Sequence, residues 1–425
     1  MIRAARDLAR RHRQTNWALV DQALVSGANF ATMILLARVL GLDAFGRFAL
    51  AWMAVQFVAA IHFALASAPM MSIGPKQPAA ERPGYFAVAL AQQALAALAL
   101  SLALGLAAGL GDRLFPAWDA AALAAPLAGA ALALLVQDYL RRHLFTRGHG
   151  RAALANDAIR CVGQLAVLGG LTLIDRLDEW AALWAIAAVA AIAAVMGLGV
   201  AGPLAWSGAR FADVARRHWR FARWLVASAA MQWLSGNLFF VAAGALLGPV
   251  AVGALKAAQN LLGVTHILFQ GLENVVPARA ARVLAEAGAP ALVALLRRVA
   301  WGVGAATALV ALVAAAAPAL WLGLLFGDAY AAYGAVLRWF ALVYVAMALG
   351  FPLRAGLRAL ESTRAIFFTY AWALAFSLVA AYPLVEVGGA LGAVLGLLIV
   401  NLGSQIILWL ALRRALSALG GVAPA

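Results

Sequence analysis

The sequence predicts an all-α integral membrane protein: about twelve transmembrane helices in two six-helix bundles, with both termini cytoplasmic. Three observations carry this. Of the 425 residues, 66% are hydrophobic and 12% charged, where a soluble chain carries about 25% charged residues. Apolar segments of spanning length recur along the whole chain, joined by short connections. Basic residues accumulate on alternate connections.

The first two segments set the pattern. Two stretches of about 20 apolar residues flank the hinge Arg38–Phe48, in which Gly41 and Gly46 stand five apart. A helix rising ~1.5 Å per residue needs about 20 residues to cross ~30 Å of hydrocarbon. The segments run near 16–37, 48–70, 85–110, 120–139, 157–174, 180–201, 222–246, 250–272, 299–325, 332–353, 366–385 and 388–411. The basic start, Arg3 to Arg13, leads into a span too long for the core of a secretion signal, so no cleavable leader is expected. The longest connection, Pro277 to Arg298, reads as an amphipathic surface helix.

Orientation follows from charge. With the N-terminus inside, 26 of the 32 basic residues fall on cytoplasmic segments and five on the opposite side: Arg38, Arg47, Arg113, Arg176 and Arg338. The net charge of +15 is thereby explained by basic loops beside anionic lipid, with no nucleic-acid partner required. Lys256 alone lies inside a span. Cys161, the single cysteine, excludes an internal disulfide. No Cys/His cluster has metal-ligand spacing, and neither a metal nor a cofactor is expected.

The chain also repeats. Leu40-Gly41 through Gly46 to Ala51 aligns with Leu247-Gly248 through Gly253 to Ala258 at an offset of 207. The shift equals six spans, so the halves share an orientation, and in parallel repeats of this kind the substrate site is expected between them. The domains are accordingly 1–206, a basic cytoplasmic linker at 207–223, and 224–425.

Polar residues inside spans mark the candidate site, because lipid does not accommodate them. Gln22, Ser26, Asn29 and Met33 share one face of the first span, with Asp21 beside them. The second span offers Gln56 and His62, and the seventh Ser228, Gln232, Ser235 and Asn237. The eighth carries a stripe of Lys256, Gln259, Asn260, His266, Gln270, Glu273 and Asn274 at three- and four-residue intervals. Lys256 requires an anion, a counter-charge such as Asp21, or water, and snorkelling to the interface is the plain alternative. Arg38 and Arg47 flank the first hinge. Asp21, His62 and His266 are the groups able to couple transport to protons or cations.

The hinge Ala37-Arg38-Val-Leu-Gly41-Leu-Asp-Ala-Phe-Gly46-Arg47-Phe-Ala-Leu-Ala51 resembles the opening signature of bacterial polysaccharide-biosynthesis membrane proteins. These are the O-antigen and exopolysaccharide flippases of the multidrug/oligosaccharidyl-lipid/polysaccharide exporter superfamily. The resemblance implies a MATE-like, multi-pass protein of the bacterial inner membrane that is no enzyme. Its cargo would be an undecaprenyl-pyrophosphate-linked oligosaccharide, carried to the periplasmic leaflet by alternating access, with other polysaccharide-assembly proteins as candidate partners. It further implies cationic residues for the pyrophosphate, for which Arg38, Arg47 and Lys256 lie on suitable spans. Sugar hydroxyls would be met by Gln22, Asn29, Gln232, Asn237, Gln259 and Asn260. The alternative is a cation-coupled multidrug antiporter of the same fold, which calls for buried carboxylates.

Overall fold

The structure is a computed structural model. It describes residues 2–202 and 211–418, with side chains described at Trp17 and from Val20 onward apart from a few positions between 267 and 278 and Thr363. Helix follows helix: α1 (Ile2–His62), a π-helical turn (Phe63–Ser67), α2 (Ala68–Ile73), α3 (Arg82–Gly111), α4 (Ala120–Thr146), α5 (Gly150–Leu173) and α6 (Glu179–Gly199). Then come α7 (Phe211–Leu247), α8 (Pro249–Leu262), α9 (Val264–Ala316), α10 (Pro318–Phe326), α11 (Gly334–Ala359) and α12 (Thr363–Ala418). Among the described residues, eight helical stretches are long and apolar enough to cross a membrane. Of the longest of these, one includes the kink at Gly41 and another the kink at Gly389.

The hinges are tighter than the sequence suggests. Arg38–Phe48 is no loop: only Gly41 leaves helical geometry (φ 75°, ψ 179°), and α1 continues on both sides. Its counterpart at the offset of 207, Gly248, has nearly the same backbone (φ 83°, ψ 179°) and starts α8 with Pro249 in the first turn. Glycine alone enters this region without steric cost, so one residue per repeat turns the chain.

The second glycine of each copy works by being small. A methyl group on Gly46 would overlap the carbonyl of Pro249, and one on Gly253 would overlap the carbonyl of Leu42. Leu42 and Pro249 are themselves equivalent at the same offset, so the contact is reciprocal. This is the close approach that small residues permit between membrane helices.

One further expectation is corrected. Pro277–Arg298 is not a separate surface helix but the middle of α9, turned at Gly288 (φ 75°). Its apolar face is buried: Val276, Ala280, Leu292, Leu295 and Leu296 pack with Phe351, Ala355, Leu408 and Leu412 of α11 and α12. The basic stretch at 207–223, expected as the linker, is helical where it is described. Residues 211–223 are the opening turns of the 37-residue α7, and 207–210 lie outside the described residues.

By packing, the chain divides into two compact units, Met1–Leu40 with Arg47–Ala230, and Gly41–Gly46 with Met231–Ala425. The division falls inside α7 rather than at the basic stretch, and the hinge Gly41–Gly46 goes with the second unit because of its contact with Pro249 and Gly253. In the first unit α4 packs on α3, α5 and α6; in the second α11 packs on α8, α9 and α12.

Candidate functional site

The two units handle their buried polar groups differently. In the first, α4 and α5 run together with their charged ends side by side. Gln137, Asp138, Arg141 and Arg142 on α4 and Asn156, Asp157 and Arg160 on α5 form one cluster, which Asp21 of α1 completes. Arg141 sits between three carboxylates, with contacts of 2.6 Å to Asp157, 3.2 Å to Asp21 and 3.3 Å to Asp138. Arg142 pairs with Asp138 at 2.7 Å, and Arg160 lies 3.8 Å from Asp157. The Gln137 amide donates to Asp157 at 2.6 Å and to Asn156 at 2.9 Å. Asp21 and Asp157 are almost wholly buried, at 1% and 0% exposed.

Three aspartates thus face three arginines. Buried charges are tolerated when each is paired and hydrogen-bonded. Oδ1 of Asp21 has no hydrogen-bond partner among the described residues. Below the cluster, Gln164 of α5 donates to Thr32 of α1 at 2.8 Å, tying the same helices together.

In the second unit the cation stands without an acid. Lys256, about 10 Å along α8 at 1.5 Å per residue, donates to Oε1 of Gln259 at 3.0 Å and rests 3.8 Å from the centre of the Phe240 ring. Both partners are neutral, and no carboxylate contacts Lys256 among the described residues. Around it Leu255, Ala257, Ala258 and Leu262 are fully buried. α8 ends at Leu262, and after Gly263 the first turn of α9 carries His266, whose Nε2 lies 3.2 Å from the Tyr344 hydroxyl of α11. That hydroxyl donates to the Gln259 carbonyl at 3.1 Å. Lys256, Gln259, His266 and Tyr344 are therefore one connected group.

The remaining sequence-predicted residues scatter. Asp21 is not the counter-charge of Lys256; it is held by Arg141 in the other unit. Arg47 pairs with Glu179 at 2.6 Å, at the rim of a small apolar cavity of about 180 Å³ in the first unit. Arg38 and Asn29 are exposed on α1, while Gln22 bonds its helical neighbour Ser26 at 3.1 Å. Gln232 is exposed on α7, and Asn237 donates back to the Trp233 carbonyl at 2.9 Å. Asn260 is half-buried on α8. His62 is buried at the end of α1, just before the π-helical turn. The side chains of Gln270, Glu273 and Asn274 lie outside the described residues. No group of three or more His, Cys, Asp or Glu suited to a metal ion occurs among the described residues.

Sequence reasoning missed Asp138, Arg141, Asp157 and Arg160. It counted the arginines among the basic residues of the cytoplasmic segments and offered Asp21 as a counter-charge for Lys256. The signal was present as opposite charges one turn apart, Asp138 with Arg141 and Arg142, and Asp157 with Arg160.

No family model and no curated protein matches the sequence. Solved structures do. One is the inward-facing conformation of a multidrug resistance MATE family transporter of the MOP superfamily, at 15% identity over 92% of this chain and 94% of that one, with a TM-score of 0.74. Another is a MOP superfamily transporter from Pyrococcus furiosus, described by the reverse polarity of its binding pocket, at 16% identity over 96% of each chain and a TM-score of 0.62. The outward-facing conformation of a multidrug resistance MATE transporter is matched at 16% identity, 96% of each chain and a TM-score of 0.62. At such identities the likeness concerns architecture. The chain is a multi-pass membrane protein with the fold of the MATE transporters of the MOP superfamily.

Proposed function

We propose that this protein is a flippase that moves an undecaprenyl-pyrophosphate-linked oligosaccharide across the bacterial inner membrane by alternating access. Twelve spans, cytoplasmic termini and a role beside other polysaccharide-assembly proteins belong to the same reading. The observation that carries it is Lys256. A lysine inside a span costs about 2.5–3.5 kcal/mol on insertion scales, and a neutral amide with an aromatic face offsets this in part. An anionic head group supplies what is missing. Gln259, Asn260, His266 and Tyr344 nearby offer hydrogen bonds of the kind sugar hydroxyls accept and donate. A cationic drug, by contrast, meets a like charge at Lys256. The hinge signature around Gly41 and Gly46 supports the same cargo.

A second reading, the cation-coupled multidrug antiporter, has its own support. Two of the similar structures are described as multidrug resistance transporters, and buried Asp21 has an unpartnered oxygen. The fold is not tied to one cargo, since the Pyrococcus furiosus relative is described as having a reversed pocket polarity that suggests a different function.

Complementation separates the two. Wild type and Lys256→Ala are placed in cells lacking their own exopolysaccharide flippase. Surface polymer, trapped lipid-linked intermediates and drug accumulation are scored at matched membrane levels. Rescue by wild type with failure of Lys256→Ala and trapped intermediates supports the flippase. Lowered drug accumulation without rescue by any glycan replaces it with the antiporter.

A further inference from the structure

The second unit carries a groove that none of the residues above explains. It encloses about 510 Å³ between α9, α11 and α12. Eleven of its fourteen lining residues are apolar; the exceptions are Arg297, Arg413 and Gln405. Gln405 is buried against Gly350 at the deep end. The arginines lie toward the other end, a turn short of the lining residues Val293 and Leu416, and share one level, because Leu296 and Leu412, their chain neighbours, both pack on Gly356. Arg413 lies 4.6 Å from the centre of the Trp409 ring, which also lines the groove. Neither arginine has a carboxylate partner among the described residues.

The dimensions fit one leaflet. Leu402, Gln405, Ile406, Trp409 and Leu412 present one face of α12 to the groove. From Leu402 to Arg413 that face runs about 16 Å at 1.5 Å per residue, while half of the hydrocarbon core measures about 15 Å. The charged end belongs to the side with most of the basic residues, which faces the anionic leaflet.

We infer that this groove binds one anionic phospholipid, with an acyl chain along the α12 face and its phosphate between Arg297 and Arg413. Charge complementarity selects the occupant: two guanidinium groups at one level, with no carboxylate partner among the described residues, attract a net negative head group, and a zwitterionic lipid lacks that charge. The inference is independent of which cargo the transporter carries.

The test is native mass spectrometry of the full-length, delipidated protein titrated with dioleoyl phosphatidylglycerol or dioleoyl phosphatidylcholine. Wild type is expected to take up one phosphatidylglycerol in preference to phosphatidylcholine. Arg297→Ala with Arg413→Ala is expected to weaken that uptake about 30-fold, from about 1 kcal/mol per basic contact. Arg298→Ala with Arg414→Ala removes the same charge from positions that do not line the groove, and is expected to cost no more than about threefold. Ala300→Trp fills the groove and keeps both arginines, and it is also expected to abolish uptake. Three results would overturn the inference: equal losses in both double variants, full uptake by Ala300→Trp, or displacement of phosphatidylglycerol by undecaprenyl phosphate at a far lower concentration. The last would make the groove a seat for a prenyl tail instead.

Discussion

The two units carry buried charge in opposite ways. The first closes its account locally: Asp21, Asp138 and Asp157 are held by Arg141, Arg142 and Arg160, with Gln137 filling a remaining lone pair. Among the described residues, the second leaves Lys256 with Gln259 and a phenyl face. A paired cluster resists change, because removing one member strands the others. An unpaired charge is a standing cost that a ligand can relieve. Stability and function are thereby separable between the two units.

The largest expected effect breaks the paired side. Asp157→Ala leaves Arg141 and Arg160 without their shared, fully buried partner. It is expected to cost about 3–5 kcal/mol, read as a large fall in the melting temperature of the detergent-purified protein. Lys256→Met sharpens the contrast. It removes an unpaired charge and adds an apolar side chain of similar length, so stability is expected to hold or rise, by up to about 2.5–3.5 kcal/mol, while transport is lost. A fall in melting temperature for Lys256→Met comparable to that for Asp157→Ala would erase the distinction.

Smaller effects probe the frame common to both halves. Gly46→Val and Gly253→Val force a side chain against a carbonyl in the reciprocal contact, and each is expected to cost about 1–3 kcal/mol. The two should match because the contact is reciprocal. Gly41→Ala asks alanine to adopt φ 75° with ψ 179°, a region open essentially to glycine, at about 1–3 kcal/mol. Near the bottom of the range, Asp178→Ala removes the carboxylate that accepts from the Ala181 amide at 2.7 Å and caps α6. The expected cost is about 1 kcal/mol in thermal stability.

Much of the frame was legible in the sequence because it depends on local rules. Apolar length gave the helices, and the matching glycines at 41/46 and 248/253 gave the repeat. What the sequence left hidden depends on which helices touch. It marked Asp21 and Lys256 as costly, yet only the packing of α1 on α4 and α5 reveals that Arg141 takes the first. The fate of Arg47 was equally out of reach, since Glu179 lies 132 positions away. Pro277–Arg298 misled for a related reason: its alternating polarity suits a water interface, but its apolar face had a concealed partner in α11 and α12. Gly288 also turns α9 inside the stretch that reads as one surface helix.

The most direct measurement of the central claim is a thermal-shift titration of wild type and Lys256→Met with undecaprenyl pyrophosphate, using undecaprenol as the uncharged control. The pyrophosphate is expected to raise the wild-type melting temperature and undecaprenol to leave it unchanged. Lys256→Met should start at least as stable and show no shift with either. A full pyrophosphate shift in Lys256→Met, or no shift in wild type, would contradict the assignment of Lys256 as the cation that holds the anionic head group.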